Sequence, residues 1–148
     1  MEPKIELPKS GTYVLVLQLI RQRIIRVGSL GAIRFRRGNY VYIGSARKGL
    51  RFRVARHLAI EKRKRWHIDW LTTQLGVLLI AVASTPRTGL ECRIATALSC
   101  RANMRVDSFG CSDCECESHL YYFTNTEDVF LALKHLERYG VSAQRIHV

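Results

Sequence analysis

The hydrophobic pattern of this chain is densest between residues 11 and 58. From Gly11 to Leu19, Tyr13, Leu15, Leu17 and Leu19 alternate with Val14, Val16 and Gln18. Both faces are largely apolar, which predicts a central strand. Arg23 to Val27 predicts a weaker second strand, broken by Gly28 and Gly31. Ile33 and Phe35 then point one way while Arg34 and Arg36 point the other. Arg37-Gly38-Asn39 supplies turn chemistry, and Tyr40 begins a return strand, so a hairpin with a row of arginines on its open face is expected. Tyr40, Tyr42 and Gly44 share one face of that strand, and Val41 and Ile43 the other. After a tight glycine turn, Leu50, Val54 and Leu58 recur every four residues as the buried stripe of a helix. Arg53 and His57, also four apart, flank it.

Beyond this core the pattern continues more loosely. Glu61 to Arg65 is a charge run of the kind found at a solvated helix end, and Trp66 to Leu71 starts a second helix. Val77 to Ala83 is a near-continuous apolar run, a buried strand closed by Pro86. A third helix spans Thr88 to Cys100 with Leu90, Ile94 and Leu98 as its stripe. Short strands are expected at Met104 to Val106 and Leu120 to Phe123, with a cysteine-rich loop from Ser108 to Ser118 between them. A last helix runs from about Thr126 to Arg138 and stops at Gly140. The expected fold class is α+β: one sheet with helices packed on it, a single domain over residues 1–148, with residues 1–10 a loose N-terminal arm.

Charge changes the picture. The chain carries a formal net charge of +12. Residues 1–66 hold 17 Lys and Arg against 3 Asp and Glu, and residues 67–148 hold 7 against 9. The positive field therefore belongs to the half that carries the two tyrosines and Arg53, and it points to a polyanion, of which nucleic acid is the commonest. Arg34, Arg36, Arg37, Arg47, Lys48 and Arg56 are the candidate contacts. Arginine suits phosphate because its guanidinium forks onto two oxygens. No apolar run reaches the length of a membrane span, no clean basic amphipathic helix appears, and residues 1–10 lack the pattern of a secretory signal. A cytoplasmic location is expected. The five cysteines are then expected as reduced thiols or metal ligands rather than a disulfide framework.

Four groups could carry chemistry. A phenol at the end of a strand and a cation on the next helix could face one pocket, although tyrosine in strands is also common as packing with its hydroxyl at the rim. His57 either caps the polar flank of its helix or touches a phosphate. Thr88-Gly89-Leu90-Glu91 fits a capping box with Glu91 reaching back to Thr88. Cys111, Cys114, Cys116 and His119 either supply soft ligands for Zn²⁺, with Cys92 or Cys100 able to replace one member, or are small thiols packing a tight loop.

Gly11-Thr12-Tyr13, Tyr42-Ile43-Gly44, Arg53 with His57, and a helix with Glu91 together resemble the GIY-YIG nuclease superfamily. The resemblance is nearest to a branch found alone or fused to endonuclease III-type repair enzymes. That branch is marked by a Tyr-Val-Tyr-Ile-Gly-Ser-Ala strand, an Arg-His-Leu helix, a Trp-His-Ile-Asp segment and a late Ser-Asp-Cys-x-Cys-x-Ser-His-Leu stretch. The resemblance implies a small, mainly antiparallel sheet and a metal-dependent phosphodiesterase. Tyr13 and Tyr42 would line the site, Arg53 would bind the scissile phosphate, and Glu91 would hold Mg²⁺ or Mn²⁺, with His67 a further candidate. Neighbouring cations and metal would lower the pKa of Tyr42 and suit it as general base. DNA is the implied substrate, RNA is not excluded, and a DNA-repair protein is a possible partner. The step from Tyr42 to Arg53 is one residue long for the superfamily, which puts the helix phase in question. The leading function is a DNA endonuclease. The alternatives are a nucleic-acid-binding module with little or no catalysis and a zinc-stabilised interaction module.

Overall fold

The structure, a computed structural model, describes residues 5–111 and 116–146. The chain is α+β, as the pattern predicts. Six antiparallel strands form the main sheet in the order β6-β7-β4-β1-β5-β8. They are β1 (Gly11–Leu19), β4 (Gly38–Ala46), β5 (Val77–Thr85), β6 (Met104–Arg105), β7 (Leu120–Phe123) and β8 (Ser142–Arg145). A separate two-stranded ribbon pairs β2 (Arg23–Arg26) with β3 (Ala32–Phe35). Four helices complete the fold: α1 (Leu50–Leu58), α2 (His67–Thr72), α3 (Glu91–Ser99) and α4 (Thr126–His135). Among the described residues no helix is long and apolar enough to cross a membrane.

The two faces of β1 explain its central place. Tyr13, Leu15, Leu17 and Leu19 join Tyr40 and Tyr42 of β4 in one core, covered by Leu50 and Val54 of α1, Ile68 and Leu71 of α2, and Ile25 and Phe35 of the ribbon. Val14 and Val16 join Val41 and Ile43 in a second core, covered by Ile94 and Leu98 of α3 and by Val129 and Leu133 of α4. The sheet is therefore a middle layer, and a strand in that layer must be apolar on both sides.

The expected hairpin between the third and fourth strands is not formed. β4 pairs with β1 along its whole length, from Gly38 opposite Leu19 to Ala46 opposite Gly11. β3 turns back on β2 instead, with Ile33 opposite Ile25. The physical reason lies in the faces. β4 is apolar on both sides and needs a central partner of the same kind, whereas Ala32–Phe35 has one apolar side and closes with an equally amphipathic β2. Arg34, Arg36 and Arg37 are exposed, so the arginine row survives the change of pairing.

Other differences are local. Leu58 is 44% exposed, and His57 takes its place beside Leu50 and Val54 as the third buried residue of α1. The glycine that turns the chain into α1 is Gly49, in the left-handed region at φ 63°, while Gly44 lies within β4. The charge run after α1 is not wholly solvated: Lys62 folds back, and its Nζ donates to the carbonyls of Arg56 at 2.9 Å and His57 at 3.3 Å. A cation at these carbonyls is favourable because they form the negative end of the helix. The described part of the N-terminal arm packs on the body: Ile5 and Leu7 lie against the first core, and the carbonyl of Lys9 accepts from the amide of Leu50. β8, which the sequence pattern did not suggest, adds to the free edge of β5.

Candidate active site

Tyr13 of β1 stands opposite Gly44 of β4 in the antiparallel register. A Cβ at position 44 would fall 2.4 Å from the Tyr13 hydroxyl. The glycine is thus required for space, and the phenol lies across it. Tyr42 sits on the same face of β4 one period earlier. Both tyrosines are buried, at 2% and 8% exposure, yet both line a cavity of about 270 Å³ that opens at the end of β4.

Behind the two phenols sits His57. Its Nε2 lies 2.7 Å from the Tyr13 hydroxyl, and its Nδ1 has no partner among the described residues. Burial pulls its pKa down to about 3, with Lys62 adding to the effect, so the ring is neutral at physiological pH. Which nitrogen carries the proton is assigned from this pattern. An orphaned buried N–H is rarer than an orphaned lone pair, which favours the proton on Nε2, donated to the Tyr13 oxygen. The Tyr13 hydroxyl proton is then free to point into the cavity. Of the two roles expected for His57, neither is what the geometry shows: the ring is walled off from solvent and does not line the cavity.

The pKa of Tyr42 also departs from expectation. Burial raises it well above the ordinary tyrosine value, the Asp69 carboxylate adds to the rise, and Arg53 opposes without prevailing. Tyr13 is raised for the same leading reason. Both phenols are therefore protonated at neutral pH and act as hydrogen-bond donors.

Arg53 reaches the cavity despite the extra residue before it, so the helix phase is preserved. Its Nη1 donates to the carbonyl of Ser45 at 2.7 Å, and its guanidinium lies 4.9 Å from the centre of the Trp66 ring. Arg56 stacks on the same ring at 4.6 Å. It is not available as an open phosphate contact, because both of its Nη atoms donate to the Asp69 carboxylate, at 2.8 and 3.0 Å. Asp69 is fully buried and also accepts from the backbone amides of Arg65 and Trp66. Burial alone would push its carboxyl up, but the Arg56 bonds and the two amides together hold it below its usual value. Asp69 is thus the buried anchor between α1 and α2. Arg34, Arg36, Arg37, Arg47 and Lys48 are exposed and lie outside the cavity wall.

The far wall of the cavity comes from three other segments. Glu91, the first residue of α3, lines it. The capping box expected with Thr88 is not made: Leu90 occupies the N-cap position, and no side chain caps the helix. Among the described residues the Glu91 carboxylate has no hydrogen bond or ion pair. His67, at the start of α2, lines the cavity and accepts the Gly110 amide on Nδ1 at 2.9 Å, which leaves its proton on Nε2. His119 lines it too. Burial lowers its pKa, with Glu91 pulling the other way. From the sequence, His119 enters only as a zinc candidate and Trp66 only through the Trp-His-Ile-Asp segment.

The cysteine loop lies beside this wall. Cys92 and Cys116 form a disulfide, which departs from the expectation of reduced thiols or metal ligands; the sequence holds no signal for a pairing 24 residues apart. The sulfurs of Cys92 and Cys116 and a ring nitrogen of His119 all lie within 4.8 Å of one another. Of the expected zinc set, Cys116 and His119 are brought together, with Cys92 as the third member. The Cys111 thiol donates to the Phe109 carbonyl. Cys114 lies outside the described residues.

The cavity thus joins two phenolic donors, two guanidiniums (Arg53 and Arg65), two imidazoles and one carboxylate. Such a set can bind a phosphodiester through Arg53 and the hydroxyls. One carboxylate with room for water is also what a hard divalent cation needs, since Mg²⁺ keeps several waters and takes one or two carboxylates. A family model described as Domain of unknown function DUF123 matches residues 12–140, and it is a GIY-YIG-like family. No curated protein and no solved structure matches the chain.

Proposed function

The chain belongs to the DUF123 family, and from that premise we propose that it is a metal-dependent endonuclease that hydrolyses phosphodiester bonds in DNA. The observation that carries the reading is the Glu91 carboxylate lining the same cavity as Tyr13, Tyr42 and Arg53 while making no bond to its own helix. A carboxylate at the first turn of a helix ordinarily serves the cap. Here it is left for another partner.

In this reading a Mg²⁺ or Mn²⁺ ion at Glu91 supplies Lewis acidity toward a phosphate oxygen. Arg53, held by Ser45 and Trp66, meets the charge that grows on the phosphate as the bond breaks. Its fixed posture means little reorganisation accompanies that charge. Tyr13, with its oxygen occupied by His57, directs its proton at a non-bridging oxygen. Tyr42 donates a second hydrogen bond and orients the attacking water. Its role as general base does not fit a phenol whose pKa burial raises. His67, neutral with its proton on Nε2, is a candidate hydrogen-bond donor to the leaving oxygen.

The substrate reading comes from the segment that links Ser45 to Arg53, two residues that line the cavity. Arg47, Lys48 and Arg51 are exposed next to Phe52, whose ring is 80% exposed. An aromatic ring among cations suits unpaired bases near the cleavage point, because every base presents a face for stacking. Branched, flapped or frayed DNA fits this surface better than uniform duplex, and such substrates would suit a role in DNA repair.

The test is a panel of flapped, branched and duplex DNAs incubated with Mg²⁺ or Mn²⁺, with wild type and Glu91→Gln side by side. Glutamine should lower cleavage by at least about 10²-fold, the scale of a lost transition-state contact, while leaving the thermal transition in place. Cleavage by Glu91→Gln at the wild-type rate would remove the metal reading and leave nucleic-acid binding alone.

A further inference from the structure

Beside the cavity, two sulfurs and an imidazole come from segments far apart in sequence. Cys92 is the second residue of α3, Cys116 lies in the loop before β7, and His119 immediately precedes that strand. The three ligand atoms are within 4.8 Å of one another. Around a tetrahedral zinc ion, with Zn–S near ~2.3 Å and Zn–N near ~2.0–2.1 Å, neighbouring ligand atoms stand roughly 3.5–4 Å apart. Small side-chain adjustments reach that spacing. The Cα atoms of Cys92 and Cys116 are 6.1 Å apart, which suits two thiolates on one ion as well as a direct bond.

The scaffold holding these ligands is fixed. The His119 amide donates to the Phe109 carbonyl at 2.8 Å, and the His119 carbonyl accepts from Ile43 of β4 at 3.0 Å. Cys92 sits in the first turn of α3, where the helix dipole favours a thiolate. Sulfur and imidazole are the ligands zinc takes by preference, whereas Mg²⁺ takes oxygen. The cluster is therefore chemically distinct from the carboxylate one residue away.

We propose that in the reduced chain Cys92, Cys116 and His119 bind one zinc ion, which fastens the first turn of α3 to the segment before β7. Reduction of the Cys92–Cys116 bond takes two electrons and two protons from two molecules of a small-molecule thiol, which are oxidised together to one disulfide. The two thiols then release their protons to solvent as the thiolates ligate the ion. Three protein ligands leave the fourth tetrahedral position to water. The ion would fix the first turn of α3, and with it Glu91, in its place in the cavity wall. It stands independently of the nuclease reading, since neither phosphate nor Mg²⁺ enters it.

The test uses the full chain, reduced, stripped by chelator and titrated with Zn²⁺ alone. One equivalent should bind and protect Cys92 and Cys116 from alkylation, while the exposed Cys100 stays reactive. Cobalt(II) in place of zinc should give thiolate charge-transfer bands. Cys92→Ser and His119→Ala should each lose stoichiometric binding, and Glu91→Gln should keep it even if it abolishes DNA cleavage. No stoichiometric zinc in the reduced wild type overturns the proposal. So does zinc binding that leaves Cys92 and Cys116 as reactive as Cys100, a readout that needs no variant to fold.

Discussion

Acid should loosen this protein earlier than its carboxylates would, and His57 is the reason. In the folded chain its pKa is pulled down to about 3 from an ordinary value of 6.5. Below the unfolded value the unfolded chain takes up a proton that the folded one refuses. Stability is therefore fully present above about pH 6.5 and is lost as pH falls toward 3. At about pH 5 the imbalance spans 1.5 pH units, and at ~1.36 kcal/mol per unit it removes roughly 2 kcal/mol. That is a large share of the ~5–15 kcal/mol typical of a domain. His67 and His119 shift in the same direction, so the assay must isolate His57. His57→Gln keeps an amide donor near the Tyr13 oxygen but cannot titrate. Urea unfolding followed by tryptophan fluorescence at about pH 7, 6, 5 and 4 gives the comparison. The variant should be less stable near neutrality and should lose about 2 kcal/mol less than wild type between pH 7 and 5. Equal losses in the two proteins would mean that His57 is not buried neutral behind Tyr13, and the assignment of a free Tyr13 proton would go with it.

Three further outcomes follow from named contacts. Gly44→Ala puts a methyl 2.4 Å from the Tyr13 hydroxyl, and the forced shift should cost about 1–3 kcal/mol in a thermal melt and disturb the Tyr13–His57 bond. Asp69→Asn removes the buried carboxylate that holds Arg56 and two backbone amides, so a loss of about 3 kcal/mol is expected in urea unfolding. Phe52→Ala removes a ring that touches little of the fold. Stability should stay within about 0.5 kcal/mol, while affinity for single-stranded DNA, measured by fluorescence anisotropy at fixed salt, should fall by about 1–3 kcal/mol.

Much of the framework was legible because it depends on local periodicity. β1 and β4 are apolar on both faces, and that alone puts them in the middle of a layered fold. The stripe at Leu50 and Val54 gives α1, and α1 brings Arg53 to the phenols. Pairing was less legible. The turn residues at 37–39 suit a hairpin, but the choice of partner depends on which strands have two apolar faces, and that is a property of the whole sheet. β8 is a short polar strand whose edge position imposes no pattern. In the site, the role of Asp69 was hidden because its partner, Arg56, lies on another helix. Glu91 matched a capping box whose backbone geometry does not form. His57 looked like part of a polar flank, and only the packing of Tyr13, Tyr42 and Trp66 around it shows why it is neutral. Burial acts on pKa through neighbours from distant segments, which no window along the chain can reveal.

The central position of β4 has an evolutionary consequence. Tyr42, Ile43 and Gly44 line the cavity, Tyr40 and Tyr42 belong to the first core, and Val41 and Ile43 belong to the second. A substitution anywhere along this strand therefore meets selection for folding and selection for chemistry together. The exposed flank of α1 carries no such double burden, so changes there can alter specificity without disturbing either core.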